Sequence, residues 1–392
     1  STGLGGLALA TLLRQDRLLA DDPIRPTIRP EAPLAARPPH HRARANRVLM
    51  IFCSGAVSHV DTFDYKPELT KWNGKPYKGP LTVGSNGRAI GYLMQSPFEF
   101  KPRGKSGLMI SDLFPHTSKF ADDLCVIRSM HSDTAAHASG CLQMNSGSIF
   151  IGKPSIGAWV TYGLGSGNDN LPAYVVMTDP RGGPIGSASN WSAGFMPAKF
   201  QGTLFRSTGA PLLDLRPPVN DATQRRSLDL LKELNQEHLR QRPGELDLDA
   251  RIASYELAAR MQMAVPELMD LSKETEATQK AYGLQADFGN TRTFGRICLL
   301  ARRLVERGVR FIQMYHGGIG NQNTDTWDAH GNVKENHTMH AAESDLPIAG
   351  LLTDLKARGL FDDTLVIWHS EFGRMPISQR GLGRDHNPGT QS

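Results

Sequence analysis

Five short, largely apolar runs constrain this chain most: residues 48–53, 124–130, 173–177, 309–315 and 365–368. Each is too brief for a helix and lacks the strict polar alternation of a half-exposed strand, so each reads as a strand covered on both faces. Between them, apolar residues recur at helical spacing. Residues 155–164 read as one helix, and Phe294, Ile297, Cys298, Ala301, Leu304 and Val305 share one face of residues 291–308. Leu351, Leu352 and Leu355 point inward from residues 345–359, and residues 111–123 read as a further helix with Ser111 as its N-cap. Strands alternating with amphipathic helices define an α/β fold: an α/β/α sandwich with a mainly parallel central sheet and with helical and loop insertions.

The ends of the chain read differently. Residues 3–13 (GLGGLALATLL) have the length and small apolar character of a signal-peptide core, with Leu18-Leu19-Ala20 as a cleavage neighbourhood. Residues 1–20 are therefore expected to be part of an export signal, an ordinary short helix being the alternative. Residues 21–46 are rich in Pro and Arg without periodicity, and read as an extended linker. The α/β domain then occupies 47–392, interrupted at about 179–285 by a Gly/Pro-rich stretch and a run of two or three charged amphipathic helices.

The net charge of +5 falls largely in the linker, where Arg25, Arg29, Arg37, Arg42, Arg44 and Arg47 face only Asp21, Asp22 and Glu31. A basic face for nucleic acid is thus not implied, and no run is long and apolar enough to span a membrane. Cys53, Cys125, Cys141 and Cys298 lack metal-finger or C-x-x-C spacing and read as small buried hydrophobes.

Chemistry collects where the strands end. The first run empties into Ser54–Asp64, with His59, Asp61 and Asp64; the second into His131, Asp133, Thr134 and His137. The fourth leads to His316, Asp325, Asp328 and His330; the last to His369, Ser370, Glu371, Arg374, Arg384, Asp385 and His386. In a parallel sheet, ligands bind beyond the C-terminal strand ends, where these loops meet. Taken singly, Asp328-Ala329-His330 is either a chelating pair or a turn cap beside a surface histidine. Glu371 is either a ligand or the partner of Arg374, and Asp385-His386 a ligand pair or a loop hydrogen bond. Together they offer carboxylate and imidazole without thiolate, a donor set for Zn²⁺, Mn²⁺, Mg²⁺ or Ca²⁺.

The ordered segments CSGAVSHVDTFDYKP, IRSMHSDTAAH, LQMNSG, IGAWVTYGLG, LPAYVVM, TDTWDAHG, SEFGRMP and GRDHNP resemble the bacterial family catalogued as domain of unknown function 1501. That resemblance implies membership of the alkaline phosphatase and sulfatase superfamily, a parallel α/β/α sandwich binding one or two divalent ions, and export, often by the twin-arginine route. It implies that Asp61 is a ligand after the first strand, with Asp328, His330 and His386 as further ligands; Glu371 and Asp385, read from their own loops, complete the candidate metal residues. Asp133-Thr134-Ala135-Ala136 is similar to the phosphatase D-S-A-A, which would make Thr134 the nucleophile. Ser370 and Glu371 stand where the superfamily has adjacent Asp and His, and the sulfatase C-x-P-S-R sequence is absent.

The sequence thus leads to an exported, metal-dependent hydrolase of phosphate or sulfate esters acting on a small-molecule or glycan substrate. Arg374 or Arg384 would stabilise developing oxyanion charge, and His131, His137 or Thr134 would move the proton or attack. The alternative is a non-catalytic exported protein with a degenerate metal site that recognises an anionic glycan or a protein partner.

Overall fold

The structure, a computed structural model, describes residues 26–29, 32–77, 91–206, 219–241, 246–319 and 322–389. The proposed signal segment lies outside the described residues.

Five strands form one parallel sheet: β1 (Arg47–Cys53), β4 (Tyr174–Met177), β5 (Thr203–Phe205), β6 (Phe311–His316) and β7 (Thr364–His369), in the order β5-β4-β6-β1-β7. Two hairpins lie outside it, β2 (Phe100–Arg103) with β3 (Leu108–Ser111), and β8 (Gly373–Gln379) with β9 (Gly383–Asn387). β1 sits between β6 and β7, with Phe52 in register with Tyr315 and His369. The three loops richest in acids and imidazoles therefore leave adjacent strands.

Helices cover both faces. α1 (His137–Ser146) and α2 (Ile156–Leu164) lie over one, and α3 (Asp221–Gln241) packs on α4 (Leu246–Met269). With α4, α5 (Gly289–Glu306) and α6 (Val333–Ala357) cover the other. The strands supply both cores by alternation. Leu49, Ile51 and Cys53 face the core shared with α4, α5 and α6, whereas Met50 and Phe52 face the core shared with Cys141 and Trp191. Full burial of such a side chain contributes about 1.5–3 kcal/mol. A one-residue slip would exchange every one of them between cores, so the register is fixed.

Four expectations need correction. Residues 124–130 form no strand: Arg128 and Ser129 interrupt the run, Arg128 reaches Asp64 at 3.5 Å, and Cys125, Ile127 and Met130 are exposed. Cys125 is thus not a buried hydrophobe, unlike Cys53, Cys141 and Cys298. Ser111 ends β3 rather than capping a helix. The Asp345 carboxylate takes the N–H groups of His116 and Thr117, leaving only a 3-10 helix over Thr117–Asp123.

Finally, α6 begins at Val333, twelve residues before the apolar pattern starts. Asn332 caps it by accepting the N–H groups of Lys334 and Glu335, and its early inward face carries His337, His340 and Glu343. Part of the linker is also engaged with the body: Arg37 donates to the carbonyls of Thr161, Tyr162 and Gly163 at the C-terminal end of α2, where a cation complements the helix dipole. Among the described residues, no helix is long and apolar enough to cross a membrane.

Candidate metal centre

Four side chains converge beyond the ends of β6, β1 and β7. One ligand atom from each of His137, Asp328, His330 and His386 lies within 4.8 Å of every other. Asp328 and His330 follow β6, His137 opens α1, and His386 comes from the β8–β9 hairpin after β7. His330 Nε2 lies 2.9 Å from Asp328 Oδ1 and 3.0 Å from His386 Nε2, itself 3.3 Å from the same oxygen. His137 Nε2 lies 3.3 Å from Asp328 Oδ2.

The outer nitrogens explain this orientation. His137 Nδ1–H donates to Glu371 Oε1 at 2.6 Å, His330 Nδ1–H to Gln379 Oε1 at 2.5 Å, and His386 Nδ1–H to the Ala135 carbonyl at 2.7 Å. Each acceptor fixes a tautomer and turns Nε2 inward, the arrangement that outer-shell oxygens impose on metal-binding imidazoles. Burial lowers the His386 pKa to about 4, with Asp328 acting against it, so at neutral pH its Nε2 carries a lone pair facing a carboxylate. A divalent ion between them would satisfy both acceptors. His137 Nε2 is buried without a hydrogen-bond partner among the described residues. Burial opposes charge on His137, but Asp328 and Glu371 outweigh it and raise its pKa to about 9. An imidazole-rich, thiolate-free set with one carboxylate fits a divalent ion, and suits Zn²⁺ better than the all-oxygen preference of Ca²⁺ or Mg²⁺.

The remaining sequence-derived residues take other places. Glu371 stands behind His137, its Oε1 also accepting the Gly55 N–H at 2.9 Å. Arg374 is fully buried; it contacts Asp328 Oδ1 at 2.5 Å and donates to the carbonyls of Gly55, Ala56 and Arg384. Burial pushes the Asp328 carboxyl up, but Arg374 and the three histidines hold it well below the usual carboxylate range.

Asp61 lies outside the converging group. Its Oδ2 accepts Arg384 Nε–H at 2.6 Å and Ser58 Oγ–H at 2.5 Å, and its Oδ1 accepts Arg384 Nη2–H at 3.1 Å. Asp385 accepts its neighbour's N–H and stays 3.9 Å from the outer nitrogen of His330. Thr134 Oγ1 accepts the Ala136 N–H at 3.1 Å, and His131 is exposed. Ser370 Oγ accepts the Val57 N–H at 3.1 Å and lies 2.7 Å from the Cys53 carbonyl, tying β7's end to β1.

A second group, His316, His340 and Glu343, was not legible as a site. Its signals were the Asn332–Glu335 cap and the three-residue spacing of His337, His340 and Glu343 along one helix face. It does not offer the same chemistry. Trp327 Nε1–H donates to His316 Nδ1 at 2.9 Å, so the neutral ring carries its proton on Nε2, 3.0 Å from Glu343 Oε2. Neither that nitrogen nor His340 Nε2 has a hydrogen-bond partner among the described residues. Arg181 forks onto Glu343 with two 3.0 Å bonds and Asn290 adds one at 2.7 Å, so the carboxylate is already balanced.

Fold and site together define a mixed α/β protein whose parallel sheet carries a buried imidazole–carboxylate centre able to hold a metal ion. The pattern of the family described as "Protein of unknown function (DUF1501)" matches residues 45–392, and the chain belongs to that family. Neither curated proteins nor solved structures gave a match.

Proposed function

We propose that this protein is an exported, metal-dependent hydrolase of phosphate or sulfate esters, built on an alkaline phosphatase-like sandwich. The observation that carries the reading is the convergence of three imidazoles with fixed outer nitrogens on one buried carboxylate at the sheet's C-terminal edge.

Asp328, His330 and His386 would hold the ion, with Zn²⁺ or Mn²⁺ favoured by the imidazole content. A bound divalent ion supplies Lewis-acid polarisation of an ester oxygen and eases deprotonation of an attacking hydroxyl. His137, backed by Glu371, lines the adjoining cavity and would move the proton through Nε2. Arg374 fixes Asp328, and Arg384 holds Asp61 to the β8–β9 hairpin; both are fully buried and positioned to support the site rather than touch substrate.

Metal analysis of the purified protein, with assays on aryl phosphates and aryl sulfates under Zn²⁺, Mn²⁺, Mg²⁺ and Ca²⁺, tests the proposal. Bound ion with turnover is expected; no ion and no turnover under any of them refutes it. One observation favours the non-catalytic alternative: Asp61 is closed by Arg384 and does not join His137, Asp328, His330 and His386 in one donor group. Retention of an anionic glycan with ion bound and no hydrolysis would select that alternative. Export rests on residues 3–13, and a fusion of residues 1–46 to a reporter active only after translocation tests it.

A further inference from the structure

A cavity of about 140 Å³ adjoins the converging group, lined in part by Ser54, His137, Cys141, Thr326, Asp328 and Glu371. Three of these carry a hydroxyl or thiol able to attack an electrophile. Thr326 Oγ1 accepts the Asp328 N–H at 3.2 Å and so helps shape the ligand loop. Burial, and then the charge of Glu371, push the Cys141 thiol well above its ordinary pKa, keeping it in its poorly nucleophilic form. Ser54 differs from both. It is 3% exposed, and its Oγ has no hydrogen-bond partner among the described residues.

The backbone of Ser54 is held as tightly as its hydroxyl is unengaged. Its N–H donates to the His316 carbonyl at 2.9 Å and its carbonyl accepts the Trp327 N–H at 2.9 Å. It therefore stands just beyond the C-terminal end of β1, an interior strand, pinned to the loop that delivers Asp328. The chain then leaves through two successive left-handed residues, Gly55 at φ +106° and Ala56 at φ +60°. A Cβ on Gly55 would come within 2.6 Å of the backbone nitrogens of Trp327 and Asp328, so this turn exists only because the residue is glycine. A buried hydroxyl without a partner, fixed on a strained turn beside a metal-capable centre, is what an attacking group requires.

We propose that Ser54 is the nucleophile of ester hydrolysis in this cavity, an inference that rests on the hydrolase reading above. Its Oγ attacks the phosphorus of a phosphate monoester, forming an Oγ–P bond while the ester P–O bond breaks; the hydroxyl proton ends on the departing alcohol oxygen. Water then attacks the same phosphorus, restoring the Ser54 hydroxyl and releasing inorganic phosphate. A sulfate ester would follow the same balance at sulfur. The assignment departs from Thr134, whose hydroxyl is engaged by the Ala136 N–H.

The test uses the full chain loaded with Zn²⁺ or Mn²⁺. After rapid mixing with 4-nitrophenyl phosphate, and separately with 4-nitrophenyl sulfate, the reaction is quenched in acid and digested, and the peptides are mapped by mass. One phosphoryl or sulfuryl group on Ser54 is expected. Ser54→Ala should lose that adduct and at least about a thousandfold in turnover, while keeping its ion. Because Ser54 Oγ has no partner to lose, the variant should melt no lower than the parent, which separates a chemical role from a structural one. An adduct on another residue, no adduct under rapid quench, or a variant that still turns over overturns the assignment and leaves the hydrolase reading standing. Absence of turnover by the parent under every ion overturns both.

Discussion

Replacing Asp61 with asparagine separates two roles for a buried carboxylate near the end of β1. The expectation from the sequence is a metal ligand, whereas the structure gives Asp61 to Arg384. Both side chains are fully buried, and both Asp61 oxygens accept from the guanidinium, at 2.6 and 3.1 Å. Among the described residues Arg384 has no other carboxylate; its further donors reach the carbonyls of Met375 at 3.2 Å and Met94 at 3.0 Å. Asp61→Asn therefore leaves an uncompensated buried cation and turns one acceptor into a donor facing it. The expected loss is about 3–5 kcal/mol, read from the urea midpoint at pH 7, with ion content unchanged.

Acid sharpens the comparison. Burial raises the Asp61 carboxyl, but Arg384 outweighs it and holds it below its ordinary value. A depressed folded pKa contributes stability that is complete above the unfolded value, about 3.9, and is lost as pH falls toward and through the folded one. The gap between parent and variant should accordingly narrow below about pH 4. Pairing Asp61→Leu with Arg384→Met should recover most of the loss, since replacing both charges by apolar side chains is near neutral. An Asp61→Asn protein that keeps its stability and loses its ion would refute the reasoning and restore Asp61 as a ligand.

Three further outcomes follow from the same geometry. His386→Ala should reduce the bound ion to a small fraction of the parent's by elemental analysis, whereas Gln379→Ala, which removes only the oxygen anchoring His330 Nδ1, should weaken affinity about 10–100-fold. Arg181→Met should cost about 3 kcal/mol by leaving the buried Glu343 without its forked partner, and should not change ion content at the Asp328 group, since the Arg181 guanidinium pairs with Asp179 and Glu343 instead. In the folded protein an alkylating reagent should label Cys125 and spare Cys53, Cys141 and Cys298, as peptide mapping would show; the first is exposed, and burial raises the thiol pKa of the other three.

The parallel sheet was legible because β1, β4 and β6 are buried on both faces, and no other local pattern gives that signal at such short length; β7 is an edge strand with Leu365 exposed, so its apolar run did not mean the full burial expected of it. The failed strand at 124–130 shows where the signal weakens. Leu124 to Ile127 look like a strand start, but Arg128 finds Asp64 in three dimensions, and no local rule anticipates that pairing. The same limit hid the first twelve residues of α6. Helical periodicity is read from apolar residues, and this segment buries His337, His340 and Glu343 instead. Their burial is tolerable only because distant groups meet them: the Ser58 N–H at His337 Nε2, and Arg181 at Glu343.

The site follows the same logic one level up. Strand-end loops located it, since β6, β1 and β7 are neighbours and their loops must meet. Which acids and imidazoles face one another depends on partners with no sequence signature. Asp61 and Asp328 each follow a central strand and each meet a buried arginine, Arg384 and Arg374 respectively. Of these two, Asp328 is the one that imidazoles crowd, and they do so because Glu371, Gln379 and the Ala135 carbonyl hold their outer nitrogens. What separates a metal-capable carboxylate from a structural ion pair is thus the set of oxygens one shell further out. Those oxygens come from a strand end, a hairpin and a loop that only the folded chain brings together.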